Sequence, residues 1–237
     1  MPLQSFKDLV VVELASVLAG PSVGMFFAEL GARVIKIENS AQGGDVTRSW
    51  RLPSEKEEIT AYFSAINYQK EYLDLDLKKA ENSTKLDGIL NSADILLTNF
   101  KKGSAEKIGL GYDVLHQKFP FLIVGQISGF KSMPHRTAYD VVVQAETGFM
   151  HMNGSPNSGP IKMPVALMDV LAAHHLKEGL LIALLERAKT GKGCFVETNL
   201  EQAGIASLAN QASNFLMQNH VAQAMGSQHP NIAPYGD

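Results

Sequence analysis

Short apolar runs alternate along the chain with longer amphipathic segments. The first run, LVVVEL at residues 9–14, is rich in β-branched side chains and leads to an Ala-Gly-Pro turn, which is typical of a buried strand. Residues 21–30 then place apolar side chains at helical spacing and stop at a glycine. A second strand, RVIKIE, is predicted at residues 33–38. The chain therefore opens with a strand–helix–strand unit.

The same two patterns recur along the rest of the chain. Further strands are predicted at residues 71–76, 94–98, 121–126 and 194–198. Further helices are predicted at residues 55–65, 78–90, 104–108, 112–117, 139–149, 169–187 and 201–218, and a polar, glycine-rich loop at residues 39–54. Strands that alternate with helices in this way predict an α/β fold, with an open, mostly parallel, Rossmann-like sheet and helices on both faces.

The length of 237 residues suits one large domain or two small ones. We expect one α/β domain over residues 1–225. The segment 226–237 has the composition of a loop, and we expect it to begin a linker toward a smaller domain that this chain lacks. A frayed terminus is the alternative interpretation of this segment.

Composition and charge argue against several classes of protein. The formal net charge of −3 provides no basic surface for nucleic acid. The single cysteine, Cys194, builds neither a disulfide nor a cysteine zinc site, and the adjacent His174 and His175 diverge on a helix, so no metal site is expected. No apolar run reaches the roughly 18 residues of a membrane span and no signal peptide is recognised, which predicts a soluble cytoplasmic protein without a membrane partner.

The candidate ligand site lies at the carboxyl ends of the predicted strands, because ligands of open parallel sheets bind there. Lys107 and Arg136 carry positive charge that suits an anionic ligand, and solvated surface is the alternative interpretation of such loop residues. The chain has no G-x-x-x-x-G-K-[ST] loop, and its first turn does not match G-x-G-x-x-G, which disfavours a nicotinamide-dependent oxidoreductase. The strand-end residues singled out are Ser16, Val17, Asn99, Lys101 and Gly129.

Asp169 stands between an apolar stretch and the helix predicted to follow it. The ordinary interpretation of an aspartate in this position is a helix N-cap. The alternative is a functional carboxylate that the positive end of the helix keeps ionised, so that it acts as a nucleophile or a proton acceptor. The pattern alone leaves both interpretations open.

An ordered set of motifs covers nearly the whole chain. In this order they resemble the family III CoA-transferases, the group that includes formyl-CoA transferase, carnitine CoA-transferase and α-methylacyl-CoA racemase. The motifs are VVELASVLAGPSVGMFFAELGARVIKIE (11–38), GGDVTRSW (43–50), DILLTNFKKGSAEKIGLGYDVL (94–115), GQISGF (125–130), AYDVVVQAETG (138–148), MDVLAAHHLKEGLLIALLERAKTGKGCFVETNLEQA (168–203) and HPNIAPYGD (229–237).

The resemblance implies a function and a role for each candidate residue. The family's catalytic aspartate falls on Asp169, which in the transferases attacks an acyl-CoA thioester and then carries CoA as an aspartyl thioester. Coenzyme A or acyl-CoA is then a substrate rather than a permanently bound cofactor, and a small carboxylic acid is the acceptor. A homodimer is implied, or a separate chain that supplies the missing domain. The residues implied to bind CoA are Lys107, Arg136, Tyr139, Ser16, Val17, Asn99, Lys101 and Gly129.

Departures from the family pattern refine this expectation. Tyr139 stands where racemases carry a histidine, which favours transfer because racemisation needs two acid/base groups. Ser16 and Leu18 replace the His and Gln of formyl-CoA transferase, so formyl or oxalyl specificity is not expected. Asn39 replaces a frequent arginine at the CoA site. An acyl-CoA racemase or isomerase and a non-catalytic, truncated CoA-binding domain are the alternatives.

Overall fold

The computed structural model describes residues 4–234, and the contacts within the chain divide it into two compact units. The first unit contains the residues up to 128 together with residues 173–198. The second unit contains residues 129–172 together with those from 199 on. No helix in the described part of the chain is long and apolar enough to cross a membrane.

The expected domain boundaries stay predictions. These are the single α/β domain over residues 1–225 and the linker that begins at residue 226. Residues 235–237, at the end of the expected linker and of the last family motif, lie outside the described residues, as do residues 1–3.

A six-stranded sheet forms the centre of the first unit. Its strands lie in the order β3-β2-β1-β4-β5-β6, and the pairs β2–β3, β1–β2, β1–β4 and β4–β5 are parallel. The predicted α/β fold with an open parallel sheet is confirmed. Because the chain order reverses between β1 and β4, the carboxyl ends of these strands form the crevice where ligands of such sheets bind. The strands are β1 (Val10–Glu13), β2 (Arg33–Glu38), β3 (Glu71–Asp74), β4 (Ile95–Thr98), β5 (Ile123–Ser128) and β6 (Phe195–Asn199).

Helices occupy most of the connections between strands. Helices α1 to α5 belong to the first unit, and so does α8 from residue 173 on. Two short 3₁₀ turns, Ser40–Gln42 and Val46–Ser49, lie in the loop predicted after β2. The helices of the described residues are α1 (Ala19–Glu29), α2 (Ala61–Asn67), α3 (Ala80–Leu90), α4 (Ser104–Lys107), α5 (Tyr112–Lys118), α6 (Asp140–Glu146), α7 (Phe149–Met152), α8 (Leu167–Thr190), α9 (Leu200–Ala206) and α10 (Asn210–Gln218).

The sheet buries side chains on both of its faces, which explains the continuous β-branched runs in the sequence. Successive residues of a strand point to opposite faces. One face contributes to an apolar cluster whose members include Val12, Ile35, Leu96, Val124, Leu86, Leu90 and Leu115. The residues next to these in the strands are also fully or nearly fully buried: Val11, Val34, Ile95 and Ile123.

The start of α2 differs from the prediction. A helix was expected over residues 55–65, but α2 begins at Ala61. Thr60 explains the start, because its backbone is extended and its hydroxyl oxygen accepts a hydrogen bond from the Phe63 N–H at 3.1 Å, as an N-cap does. The same hydroxyl donates to the carbonyl of Thr47 at 2.7 Å, which anchors the helix start to the loop after β2.

The second unit is helical, and two helices predicted there are interrupted. The helix expected over residues 139–149 is divided into α6 and α7 because Gly148 adopts a left-handed φ of +84°. The helix expected over residues 201–218 is divided into α9 and α10 at Ala209, whose φ is +47°. An α-helix needs φ near −63° at every residue, so a positive φ ends one helix before the next begins.

Four charged side chains are buried together in the first unit, and we call them the ion cluster: Glu13, Lys36, Asp45 and Lys70. Glu13 and Lys36 are register neighbours on β1 and β2. Lys36 Nζ lies 3.0 Å from Glu13 Oε1 and 3.0 Å from Asp45 Oδ2, and Lys70 Nζ lies 2.8 Å from Glu13 Oε2. The exposed fraction of each of these side chains is 2% or less. Two positive and two negative charges balance inside the cluster, which is the condition for burying charges at all.

The charges of the ion cluster set one another's pKa values. Burial alone would lower the pKa of Lys36, but the carboxylates of Glu13 and Asp45 outweigh burial and raise it. Burial likewise opposes ionisation of Asp45, whereas Lys36 and hydrogen bonds from Thr47 hold its pKa below the usual value. Burial lowers the pKa of Lys70 to about 8, because Glu13 offsets only part of the desolvation. The charge of Lys70 is therefore the most sensitive to a rise in pH.

Gly24 allows α1 to pass close to the ion cluster. A Cβ built at this position would lie 1.9 Å from Glu13 Oε2. The ion pairs of Glu13 hold its carboxylate in place, because its two oxygens lie within 3.0 Å of Lys36 and Lys70. Close approach of the backbone to a fixed side chain is a recognised reason for a glycine inside a helix.

We expect Gly24→Ala to lower the free energy of unfolding by about 2–4 kcal/mol, because the new methyl displaces a buried carboxylate from its ion pairs. Gly88→Ala in α3 is the matched control, since a Cβ there meets no atom within 4 Å. This control is expected to raise the free energy of unfolding by up to about 1 kcal/mol through helix propensity. Urea denaturation followed by circular dichroism measures both changes, and equal effects at the two positions would contradict the prediction.

Candidate active site

Asn99 joins the loop after β4 to the turn after β1. Its amide oxygen accepts a hydrogen bond from the Ser16 N–H at 3.2 Å, and its amide nitrogen donates to the Ser16 carbonyl at 2.8 Å. Both backbone groups of Ser16 are therefore satisfied by one side chain. The structure brings these two predicted site residues into contact at the carboxyl ends of neighbouring strands.

Val17 has a strained backbone. Its φ of +73° lies in the left-handed region, which β-branched residues rarely adopt and which costs about 1–3 kcal/mol. Its N–H faces the carboxylate of Asp45, whose two oxygens are each 3.3 Å away. Strain of this kind persists only where the surroundings enforce it, and it is frequent at functional sites. The sequence singled out Val17 by position, and the backbone adds a physical reason to keep it as a candidate.

A cavity of about 430 Å³ opens beside this turn within the first unit, and we call it the strand-end cavity. Its volume lies in the range of small-molecule sites. Aliphatic side chains and Phe100 give it an apolar surface, and Lys78 and Lys107 add positive charge. Three carboxylates also line it, of which Glu38 is paired with Arg48 and Asp45 with Lys36, while Asp76 adds negative charge. It is lined by Leu14, Ala15, Ser16, Ile37, Glu38, Asn39, Gln42, Gly44, Asp45, Leu75, Asp76, Leu77, Lys78, Phe100, Ser104, Lys107 and Ile108.

Lys107, Lys101 and Arg48, all cations of the first unit, differ in their relation to the cavity. Lys107 ends α4 and lines the cavity, whereas Lys101 is exposed in the loop after β4 and does not line it. Arg48 donates to both carboxylate oxygens of Glu38 at 2.8 Å, and its guanidinium lies 3.8 Å from the centre of the Phe63 ring. Arg48 is thus engaged by protein groups, and Lys107 is the better candidate for a phosphate contact.

Asp169 lies in the second unit, in the first turn of α8. The helix begins at Leu167, so Asp169 is not its N-cap. Burial, and then the nearby carboxylate of Asp140, raise the pKa of Asp169 to about 7. The expectation that the helix end keeps Asp169 fully ionised is therefore corrected. The helix dipole contributes about 0.3–1 kcal/mol, which is less than the cost of desolvating this carboxylate.

Asp140, the first residue of α6, takes the capping role instead. Its Oδ1 accepts hydrogen bonds from the Met168 N–H at 2.6 Å and from the Asp169 N–H at 3.4 Å. Its Oδ2 accepts from the side-chain amide of Gln144, and Gln144 Oε1 accepts from the Met163 N–H at 2.7 Å. Asp140 and Gln144 therefore fix the segment that carries Asp169. Two neighbouring carboxyl groups thus differ in environment, which is a common way to separate their roles.

The remaining candidates of the second unit have individual surroundings. Tyr139 precedes α6 and is 57% exposed. The Arg136 guanidinium pairs with Glu146 at 2.6 Å and lies 4.6 Å from the centre of the Phe130 ring. A Cβ at Gly129 would lie 2.1 Å from that of Ala138, so the glycine is explained by close packing as well as by ligand access. The ligand contacts expected of these residues stay predictions.

Sequence reasoning missed the ion cluster and Asp140. Glu13 and Lys36 did carry a signal, since each is a charged residue inside an apolar strand run. Lys70 and Asp140 carried none, because the role of each depends on a distant segment; Asp140, for example, contacts a backbone N–H 28 positions along the chain.

The chain has an α/β fold, and the strand-end cavity opens at the carboxyl ends of its parallel strands, where ligands of such sheets bind. The sequence model of the protein family described as CoA-transferase family III matches residues 6–236. The chain belongs to this family.

Curated proteins and solved structures are similar to the chain. A succinate–glutarate CoA-transferase of Agrobacterium fabrum is 36% identical over 95% of this chain and 58% of the relative. Human succinyl-CoA:glutarate CoA-transferase is 32% identical over 99% of this chain and 53% of the relative. The crystal structure of a CaiB/BaiF family protein from Brucella suis superposes with a TM-score of 0.89 and 38% identity, over 96% of this chain and 61% of that one. The chain thus spans a little over half the length of these curated relatives.

We expect the contribution of Asp169 to the stability of the chain to fall as pH rises from about 4 to 7. The folded state holds this proton up to about pH 7, and the unfolded state releases it near the ordinary value of 3.8. The stabilisation is therefore complete at low pH and lost above pH 7. Asp169→Asn should remove this contribution and exceed the wild type in free energy of unfolding at about pH 8, by roughly 2–4 kcal/mol.

Urea denaturation at several pH values measures this difference. Asp113→Asn, at an exposed position of α5, is the control and should keep the wild-type pH dependence. Parallel pH profiles for the wild type and Asp169→Asn would contradict the raised pKa.

Proposed function

We propose that the protein of which this chain forms all or part transfers CoA from an acyl-CoA to a small carboxylic acid, with Asp169 as the nucleophile. The observation that carries the proposal is the partly buried Asp169 carboxyl in the first turn of α8, where Asp140 and Gln144 fix the backbone that holds it. Membership of CoA-transferase family III supports the reaction class.

The strand-end cavity is the proposed site for part of the CoA molecule. Its aliphatic lining and Phe100 suit the adenine ring or the pantetheine chain, and Lys107 and Lys78 suit phosphate groups. Ser16 lines the cavity and is held on both backbone groups by Asn99, so it offers a preorganised edge to the ligand. CoA is a substrate here and not a resident cofactor.

The proposed chemistry divides one transfer into exchange steps at carbonyl carbons. An Asp169 carboxylate oxygen attacks the thioester carbonyl of the donor; the C–O bond forms, the C–S bond breaks, and a mixed anhydride and CoA thiolate result. The thiolate attacks the Asp169 carbonyl, which forms an aspartyl-CoA thioester and releases the donor acid. The acceptor carboxylate repeats these steps in reverse order, and Asp169 is regenerated.

The raised pKa of Asp169 has two consequences for this mechanism. A carboxylate whose conjugate acid has a pKa of about 7 is more basic, and hence a stronger nucleophile, than an exposed aspartate. Asp169 is also about half protonated at neutral pH. The kcat/KM of CoA transfer, which reports the protonation state of the free enzyme, should therefore rise with pH and level off above about pH 8.

Short dicarboxylic acids are the proposed donor and acceptor class. The names of the relatives support this choice, because they include succinate–glutarate, succinyl-CoA:glutarate and succinyl-CoA:mesaconate CoA-transferases. Racemisation of an acyl-CoA is the second candidate function, since Asp140 places another carboxyl group beside Asp169. Both oxygens of Asp140 accept hydrogen bonds, which favours a positioning role over proton transfer.

Intact-protein mass spectrometry after incubation with a panel of acyl-CoAs, succinyl-CoA among them, tests the reaction. We expect a CoA-sized adduct that hydroxylamine cleaves and that Asp169→Ala does not form. Clear CoA binding with no adduct from any donor would instead support a non-catalytic CoA-binding chain. Exchange of the substrate α-proton in deuterated water, without an adduct, would support racemisation.

We expect Lys107→Ala to weaken binding of free CoA by about tenfold, because one charge-assisted phosphate contact contributes about 1.5 kcal/mol. Lys85→Ala removes the same charge from an exposed position on α3 and should leave the affinity within about twofold. Isothermal titration calorimetry measures both variants. Equal loss of affinity for the two would remove Lys107 from the proposed site.

A further inference from the structure

The turn after β1, residues 15–17, is held by side chains from three separate segments of the first unit. Lys36 donates to the Ala15 carbonyl at 2.9 Å, and Asn99 bonds both backbone groups of Ser16. Both carboxylate oxygens of Asp45 face the Val17 N–H at 3.3 Å. We call residues 15–17 the strand-end turn; its first two members line the strand-end cavity.

Asp45 is itself fixed on every side that the structure describes. Its Oδ2 lies 3.0 Å from Lys36 Nζ, and its Oδ1 accepts from the Thr47 N–H at 3.1 Å and from the Thr47 hydroxyl at 2.8 Å. Its own N–H donates to Glu38 Oε2 at 2.7 Å, and the residue is 1% exposed. A carboxylate held this firmly acts as a rigid acceptor for the Val17 N–H.

Val17 is the part of the turn that needs such a partner. A valine with a φ of +73° relaxes to negative φ unless a specific contact opposes the change. Rotation of this backbone would also move the neighbouring Ser16, which lines the cavity. The side chain that opposes the rotation therefore controls the shape of the cavity edge.

We propose that Asp45 is a positioning residue that holds Val17 in the left-handed conformation and so keeps the strand-end turn in the shape that binds CoA. The inference rests on the proposed function, because it takes CoA to be the ligand of the strand-end cavity. It assigns to Asp45 an effect on ligand affinity that passes through the backbone of Val17.

A glycine substitution at position 17 distinguishes the positioning role of Asp45 from a general effect of Asp45 on folding. Glycine adopts positive φ without steric cost, so a chain with glycine there has less need of Asp45. Alanine keeps the Cβ that disfavours positive φ and serves as the matched control. If the effect of Asp45→Asn on CoA affinity depends on the residue at position 17, the two residues are coupled.

The experiment measures binding of free CoA by isothermal titration calorimetry, with thermal unfolding of each variant as a check on folding. With valine at position 17, Asp45→Asn is expected to weaken binding at least tenfold. With glycine at position 17, the same substitution should weaken binding less than about threefold relative to Val17→Gly alone, whereas with alanine there it should again weaken binding at least tenfold relative to Val17→Ala alone. Asp113→Asn, an exposed change of equal charge, should bind as the wild type does.

The outcomes distinguish this inference from the proposed function. A wild-type chain that does not bind CoA overturns the proposed ligand, and the positioning role with it. CoA binding that is unchanged in Asp45→Asn overturns the positioning role alone. So does an equal loss of affinity from Asp45→Asn with valine and with glycine at position 17, because Asp45 would then act as a lining or structural residue rather than through Val17.

Discussion

The pairing of Glu13 with Lys36 across β1 and β2 is the constraint on which the first unit depends. Each of these charges costs several kcal/mol to bury, and only a nearby opposite charge offsets that cost. Asp45 and Lys70 complete the balance from two other segments of the chain. Strands β1 and β2, the loop after β2 that carries Asp45, and Lys70, three residues after the end of α2, must therefore come together in one arrangement. The strand ends gain rigidity from charge balance as well as from apolar packing.

In the second unit, the corresponding constraint is the protonation state of a single carboxyl group, that of Asp169. The pKa of Asp169 is about 7, which corresponds to roughly 4 kcal/mol against ionisation. Asp140 contributes to that shift while its Oδ1 accepts hydrogen bonds from two N–H groups in the first turn of α8. The same residue thus orders the backbone of the helix start and keeps the neighbouring carboxyl group basic.

Local pattern predicted what depends on local chemistry. The runs of β-branched residues marked the strands, and strand–helix alternation marked the parallel sheet. It failed where a distant contact decides: α2 begins at Ala61 because Thr60 caps it and the Thr60 hydroxyl also bonds the Thr47 carbonyl, and Asp140 caps a helix far from it in sequence. The resemblance to a family directed attention to Asp169, but its protonation follows from burial, which no sequence motif expresses. The sequence could not distinguish Lys107 from Lys101, and the fold does so because only Lys107 of these two lines the strand-end cavity.

A Cβ at position 24 would lie 1.9 Å from a carboxylate oxygen of Glu13. This distance restricts the order in which substitutions at positions 13 and 24 can occur. While Glu13 stands in β1, a side chain at position 24 is excluded. Once the ion cluster were exchanged for apolar residues with a smaller side chain at position 13, position 24 would accept alanine, and alanine would then obstruct the return of the glutamate. The order of substitutions at positions 13 and 24 therefore matters, which is a form of epistasis.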